Sequence, residues 1–174
     1  MVYVKKDREY FNPVRFQESG LIGELPNEVP NNLMTYVSKV ANGELDYVRV
    51  FRNDYNTPDW TGVRDYIHVV DLAKGHVAAI KKLKYGSWVS IYNLGKEQGY
   101  SILEIINASS KELGNEIPYK IVERIEGDIA ISFSDPLKAE DEIGWKVEKN
   151  LEDMCKDFLK WQCIGMKNFN YNKH

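Results

Sequence analysis

Short β-prone runs alternate with amphipathic helical patterns along this chain, and that order limits the fold more than any other feature. The segment after Asn32 carries apolar residues at i, i+3, i+4 and i+7, the spacing of a helix with one apolar face. Tyr47 to Phe51 follows as a β-prone run, and residues 70–83 form another helical pattern. The alternation predicts an α/β or mixed α+β domain with a small sheet.

Cap and turn residues mark the ends of several predicted elements. Ser101 and Glu104 have the spacing of a capping box, and Gly114 can close the helix that they open. Asn150 can cap a last helix whose apolar residues share one face. The remaining signals are a helix end at Asn42-Gly43, an apolar stripe of Ala73, Val77 and Ile80, strands at Trp88–Tyr92 and Tyr119–Val122, and Asp135-Pro136 as an N-cap before the first helical position.

The length and composition fit one globular domain. The 174 residues, of which 43% are apolar, are enough to bury a core, and no repeat or linker divides them. We predict an amino-terminal segment at 1–9, one domain at 10–162 and a frayed tail at 163–174. Cys155 and Cys163 are roughly 12 Å apart along the last helix, too far for a disulfide. Two free thiols suit a reducing compartment, although helix packing explains them equally well.

The charge and hydropathy patterns argue against nucleic acid and membrane partners. The net charge is -3, and Lys and Arg are scattered among Asp and Glu, so no basic patch is predicted. No apolar run approaches the roughly 20 residues that span a bilayer, and the first residues lack the apolar segment of a signal peptide. We therefore expect a cytoplasmic protein.

Polar residues in the β-prone run from Thr61 to Val69 indicate a candidate site. Arg64, Asp65 and His68 precede a helical pattern, where a soluble domain often presents a binding loop that can hold an anion. Taken alone, the same residues are explained more simply by a surface ion pair and ordinary strand positions, since charge at the boundary of an element is common. The residue types alone leave this choice open.

The amino-acid sequences of several motifs resemble those in the carboxy-terminal half of the UDP-glucose 4-epimerase family. The resemblance runs from about Tyr10 to Trp161. That half is the small substrate-binding domain of an NAD-dependent nucleotide-sugar epimerase, and it packs on a Rossmann domain that this sequence lacks. The matching segments are Tyr10–Pro13, Pro30–Met34, Gly62–Val69, Asp71–His76, Tyr92–Gly95, Glu126–Asp128 and Gly144-Trp145.

The resemblance implies ligands and a set of contact residues. The ligands would be UDP-glucose and UDP-galactose, with NAD as the cofactor, in galactose metabolism. By resemblance, Phe11 contacts the nicotinamide end of NAD; Asn12 binds the phosphate or sugar; amides near Asn32 and Leu33 meet the diphosphate; Arg49, Val50 and Phe51 lie along the uridine; Arg64 binds the diphosphate; and Asp128 binds the ribose. Structural alternatives are core packing for Phe11 and Phe51, a helix cap for Asn32 and a turn for Asp128.

The chemical step of that family has no counterpart here, so no catalytic residue and no metal site are predicted. No Gly-x-Gly-x-x-Gly occurs among the 12 glycines, although close approach to a pyrophosphate needs one. The Tyr-x-x-x-Lys spacing occurs at Tyr92 and Lys96, on a predicted strand rather than one helical turn.

Several family positions carry different residues. Ile125 stands where the resembled family has a diphosphate-binding arginine, and Arg15 and Trp60 replace glycines. Lys96-Glu97 interrupts a Gly-rich turn, while Ser132 is the small residue type that the family uses when N-acetylated sugars are admitted.

Three hypotheses follow from these features. The chain is part of an epimerase, a non-catalytic nucleotide-sugar binder or partner protein, or a remnant that keeps only the fold. The face that packs on the Rossmann domain in the resembled family, including Tyr10 and Phe11, would be exposed here. We therefore expect self-association or a partner at that face.

Overall fold

The protein is a mixed α/β structure in which helices alternate with very short strands. The computed structural model describes residues 12–25, 30–83, 90–124 and 127–165. The strands in these ranges are β1 (Asn12–Val14), β2 (Val48–Phe51), β3 (Val63–Arg64), β4 (Tyr66–His68), β5 (Tyr100–Ser101), β6 (Tyr119–Val122) and β7 (Ile131–Ser132). The helices are α1 (Leu33–Ala41), α2 (Val69–Leu83), α3 (Ile102–Leu113), α4 (Leu137–Ile143) and α5 (Leu151–Lys160), which continues as a π-helical turn at Trp161–Gly165.

The strands form three small sheets rather than the one sheet that the sequence suggested. Strands β1 and β4 pair in parallel, as do β2 and β6, while β3 lies between antiparallel β5 and parallel β7. Asp65, between β3 and β4, explains the division. Its N–H donates to Ser132 O at 3.0 Å and its carbonyl accepts from Asn12 N at 2.9 Å, so the chain changes sheet at this residue.

The main core lies where α1, α3 and α5 pack around β2. The apolar face predicted for α5 is confirmed, because Met154, Cys155 and Phe158 are completely buried. The ring of Phe16 lies 5.4 Å from that of Phe158. Burial raises the pKa of the Cys155 thiol to about 11, and Cys155 and Cys163 are both free.

The predicted caps are confirmed with small shifts of boundary. Ser101 Oγ accepts from Glu104 N at 3.0 Å and Ser101 N donates to Glu104 Oε2 at 2.7 Å, which completes the capping box. Gly114 ends α3 at a left-handed φ of 69°, and Asn150 caps α5. Helix α4 begins one residue later than predicted, because Pro136 is the cap residue and Asp135 Oδ1 accepts from Leu137 N at 3.0 Å.

The apolar stripe predicted on α2 is the exposed face of that helix. Val77 and Ile80 are 53% and 56% exposed. The buried face carries Gly75 and Ala79, because a Cβ on Gly75 would stand 2.6 Å from a Leu94 methyl carbon. Small residues let the helix pack closely here, and larger apolar residues remain outside.

Two other sequence predictions differ from the structure. In the predicted strand Trp88–Tyr92, Ser90 makes only an isolated bridge and the next two residues are irregular, while 88–89 lie outside the described ranges. The helical end continues to Gly165, three residues beyond the predicted boundary, because Gly165 fits closely against the Trp161 ring. None of the described helices has the length and hydropathy to cross a bilayer.

Candidate functional site

Three strands deliver polar side chains to one place around Asp128. Strands β2 and β6 are parallel, so their carboxyl ends lie at the same edge. Tyr55 follows β2 and Arg124 follows β6, while Arg64 belongs to β3. We call Tyr55, Arg64, Arg124 and Asp128 the Asp128 cluster, because each of the other three contacts Asp128.

Arg64 is the best-anchored member of the Asp128 cluster. Its Nη2 donates to Asp128 Oδ1 and to Ile129 O at 2.7 Å, and its Nη1 donates to Val63 O at 2.8 Å and Ala130 O at 3.4 Å. The side chain is 20% exposed. The guanidinium is therefore fixed in position, with one side still open to solvent.

Tyr55 and Arg124 complete the cluster, and sequence reasoning missed both. Tyr55 OH donates to Asp128 Oδ2 at 2.9 Å, and Arg124 Nη2 donates to Asp128 O at 2.7 Å. Burial, and then the hydrogen bond to Asp128, raises the pKa of Tyr55, so its hydroxyl stays a donor into the alkaline range. The parallel pairing of β2 with β6, which brings them together, leaves no local signal in the sequence.

The neighbouring Asp65 has a structural role and is not the ion-pair partner of Arg64. Its buried carboxylate accepts from Lys96 N at 3.0 Å, from Ser134 N at 3.1 Å and from Ser134 Oγ at 2.6 Å. A Cβ at Gly95 would lie 2.2 Å from Asp65 Oδ2, so this turn requires glycine. Asp65 thereby holds two loops against the end of β3.

His68 also has a structural role. The ring is fully buried, its Nε2 lies 3.0 Å from Asp157 Oδ2, and its Nδ1 lies 3.1 Å from Val70 N. Since the Val70 N–H needs an acceptor, Nδ1 accepts and the proton lies on Nε2, which donates to Asp157. His68 therefore joins β4 to α5.

The residues assigned to the diphosphate at the start of α1 have structural contacts. Asn32 Oδ1 accepts from Met34 N at 3.1 Å, and Asn32 Nδ2 donates to Pro13 O at 2.9 Å. The side chain of Asn32 is thus a helix cap that ties α1 to β1. Leu33 packs partly against the core, and Asn12 lies in β1 opposite Tyr66. A ligand contact at Asn32 or Leu33 would therefore use backbone amides.

The strand assigned to the uridine is β2, which runs towards Tyr55. Arg49 is exposed, Val50 is completely buried and Phe51 is half-buried. Val50 can consequently meet a ligand only through its backbone. Phe11, the residue assigned to NAD, and Ile125 lie outside the described residues.

Tyr92 and Lys96, which have the Tyr-x-x-x-Lys spacing, do not form a catalytic pair, because each side chain bonds to a different partner. Lys96 Nζ donates to Tyr100 OH, whereas Tyr92 OH donates to Glu142 Oε2 at 2.8 Å. Burial is the largest cause that raises the pKa of Tyr92, followed by its hydrogen bond to Glu142. A phenol held protonated in this way is a poor base.

The described strand-to-helix junctions do not fit the pyrophosphate of NAD. Helix α2 follows β4 without a glycine, and Asp71 places a buried carboxylate in its first turn. Helix α3 follows β5, where the Ser101 and Glu104 side chains occupy the free amides. Both junctions place acidic groups where a bound pyrophosphate would lie. Within the described ranges, both junctions therefore carry acidic or capping side chains at the start of the helix.

Trp60 lies in a strained turn beside the site. Its φ is 66°, a left-handed conformation that costs an L-residue about 1–2 kcal/mol, and the side chain is 59% exposed. Trp60→Gly is expected to raise the free energy of unfolding by about 1 kcal/mol, after the entropy that glycine adds to the unfolded chain. Urea unfolding measures this, with Trp60→Ala as the control that keeps the Cβ. An equal gain in both variants would assign the effect to the exposed ring.

Comparisons with known proteins agree on the relatives of this chain. A family model described as GDP-mannose 4,6 dehydratase matches residues 9–158. UDP-glucose 4-epimerase from Bacillus subtilis (strain 168) is 51% identical over 160 residues, which are 92% of this chain and 47% of that protein. The chain spans about half the length of the curated relatives it matches.

Solved structures give the same result. The UDP-glucose 4-epimerase from Stenotrophomonas maltophila, described with bound NAD and formylated UDP-arabinopyranose, is 49% identical with a TM-score of 0.86 over 91% of this chain and 47% of that one. The enzyme from Bifidobacterium longum, in complex with NAD+ and UDP, is 55% identical with a TM-score of 0.85 over 92% and 47%.

Proposed function

Since this chain belongs to the family described as GDP-mannose 4,6 dehydratase and matches UDP-glucose 4-epimerases at about 50% identity, we propose that it binds UDP-sugars. The ligands are UDP-glucose and UDP-galactose, and the Asp128 cluster holds their diphosphate and ribose. Arg64 binds the diphosphate, Asp128 the ribose, and the β2 residues Arg49 to Phe51 lie along the uridine. Asn12 binds the phosphate or sugar.

The anchored Arg64 guanidinium is the observation that carries this proposal. It sits in the Arg64-Asp65-Tyr66 motif, and it contacts Asp128, the residue assigned to the ribose of the same ligand. Two residues that are 64 positions apart, each assigned to the same ligand, thus lie within hydrogen-bonding distance. The four hydrogen bonds of its Nη atoms hold the guanidinium in position, and its positive charge on the partly open side is suited to an anion.

The epimerase reaction itself requires groups that this sequence does not supply. The proposed whole reaction would need the hydride chemistry that NAD supplies when bound, and a separate dinucleotide-binding half would provide NAD and the base. The face predicted for a partner includes Tyr10 and Phe11, which lie outside the described residues. Among the described residues we place the partner on the exposed face of α2, where Val77 and Ile80 are open. A second copy of this chain is the alternative occupant. We also propose that the protein is cytosolic, as its charge and hydropathy patterns predict.

Ser132 is expected to affect which UDP-sugars the proposed site accepts. It lies opposite Arg64 in the pairing of β7 with β3, so the two side chains point to the same face. A small residue at this position leaves room for an N-acetyl group, as the family resemblance implies. The proposed ligands therefore include the N-acetylated UDP-sugars.

A second candidate function is non-catalytic binding of nucleotide sugars or of a partner protein. The observations in its favour are the strained Trp60 beside the proposed site and, in the sequence, Ile125 where the resembled family has an arginine. Under this alternative the Asp128 cluster binds UDP, but no partner restores turnover. A remnant without ligand would bind no UDP at all.

Thermal unfolding with nucleotide present tests the proposed function. A ligand at 100 times its dissociation constant stabilises the folded state by about 2.7 kcal/mol, so UDP is expected to raise the unfolding temperature by several degrees. Uridine lacks the diphosphate and is expected to raise it far less. Equal unfolding temperatures with and without UDP would contradict the proposal.

A further inference from the structure

Two guanidinium groups meet at Asp128, and the structure holds them differently. Arg64 is largely enclosed and donates both to the Asp128 carboxylate and to backbone carbonyls. Arg124 is exposed and reaches the Asp128 cluster through its hydrogen bond to Asp128 O at 2.7 Å. Of the two cations, Arg124 is therefore the one that presents more of its surface to a ligand.

Tyr55 fixes the orientation of Arg124. The Arg124 Cζ lies 4.9 Å from the centroid of the Tyr55 ring, within the range of a cation–π contact. Tyr55 is itself buried and donates to Asp128 Oδ2 at 2.9 Å. The exposed guanidinium thus rests on a fixed platform, which lowers the entropy lost when a ligand binds.

The Asp128 cluster keeps a positive charge after its internal ion pair is counted. Arg64 and Arg124 contribute two positive charges and Asp128 one negative charge, which leaves one positive charge. The Arg64 charge is already opposed by the Asp128 carboxylate. Arg124 instead contacts only the backbone carbonyl of that residue among its hydrogen bonds in the described chain, so its charge remains available to an anion.

We propose that Arg124 supplies the second cationic contact to the diphosphate of a nucleotide sugar. It takes over from the arginine that Ile125 replaces, from one position earlier in the chain. This inference rests on the proposed function, because it concerns the same ligand. It assigns Arg124 to the diphosphate and not to the nucleoside.

Calorimetric titration of the full chain with UDP, alongside uridine as the ligand without phosphates, tests this assignment. Arg124→Gln is expected to lower UDP affinity about tenfold or more, the effect of losing a charge-assisted hydrogen bond, and to leave uridine affinity unchanged. Lys138→Gln is the matched control. Lys138 Nζ lies 5.2 Å from the Tyr92 ring centroid, so this variant also removes an exposed cation from a tyrosine ring.

The outcomes separate this inference from the proposed function. If the parent binds UDP and Arg124→Gln binds it equally tightly, Arg124 has no ligand contact and only this inference is wrong. If UDP and uridine affinities fall together, Arg124 acts by holding the loop, and the inference is also wrong. If the parent binds no UDP, the proposed function itself is overturned.

Discussion

Purified chain incubated with UDP-galactose and NAD is expected to give no UDP-glucose above the control without protein. Hydride transfer needs the nicotinamide held beside the sugar, and such positioning accounts for about 7–11 kcal/mol of barrier in well-oriented reactions. The described strand-to-helix junctions carry acidic or capping side chains where a pyrophosphate would bind. Without that positioning, turnover should fall below detection.

The absence of a general base is expected to impair the same hydride-transfer step, because the sugar hydroxyl would have no group to accept its proton. General bases contribute typically 10²–10⁴-fold, and the resembled family uses a tyrosine activated by a lysine one helical turn away. Here Lys96 donates to Tyr100, while Tyr92 donates to Glu142. A coupled assay for UDP-glucose measures the prediction. Turnover above the control that disappears in Arg64→Ala would contradict it.

A mixing experiment extends this test to the proposed partner. Adding a separately produced dinucleotide-binding half of a related epimerase is expected to restore detectable turnover. Ile80→Lys, on the exposed face of α2, should then reduce that turnover while UDP affinity is unchanged. No turnover in the mixture would favour the non-catalytic alternative, since both halves would be present.

Arg64→Ala is expected to lower UDP affinity by about a hundredfold. The change removes the anchored guanidinium and leaves the Asp128 carboxylate without its cation, so a diphosphate would meet a negative charge. A hydrogen bond to a charged group contributes about 1.5–3 kcal/mol, which is roughly ten- to a hundredfold in affinity, and the repulsion adds to this.

Calorimetry with UDP measures the effect of Arg64→Ala. The control is Lys146→Ala, which removes an exposed cation that pairs with Glu140 at 2.9 Å, outside the Asp128 cluster. Circular dichroism should show that both variants stay folded. Equal UDP affinity in Arg64→Ala and the parent would remove Arg64 from the site.

The elements that could be predicted from the sequence are those set by neighbouring residues. The Ser101 and Glu104 capping box, the left-handed Gly114 and the buried face of α5 all follow from spacings of three or four residues. Strand β6 matches its predicted limits. In each case an interaction between residues close in sequence determines the local structure, so the spacing of those residues is enough to predict it.

The features that could not be predicted depend on distant parts of the chain. The apolar stripe of α2 is exposed because Gly75 packs against Leu94, and periodicity alone cannot choose between two faces. The family resemblance assigned Arg64 and Asp128 to the same ligand, but their direct contact was not predicted. Tyr55 and Arg124 reach Asp128 through the parallel pairing of β2 with β6.

We propose that this chain binds the diphosphate of a uridine nucleotide at the Asp128 cluster. Titration calorimetry of the parent with UDP, at low and at high salt, measures this binding. We predict one site per chain, with an affinity that falls as salt rises because charged groups form the contact. Absence of binding at either salt concentration, or binding that Arg64→Ala leaves unchanged, would contradict the claim.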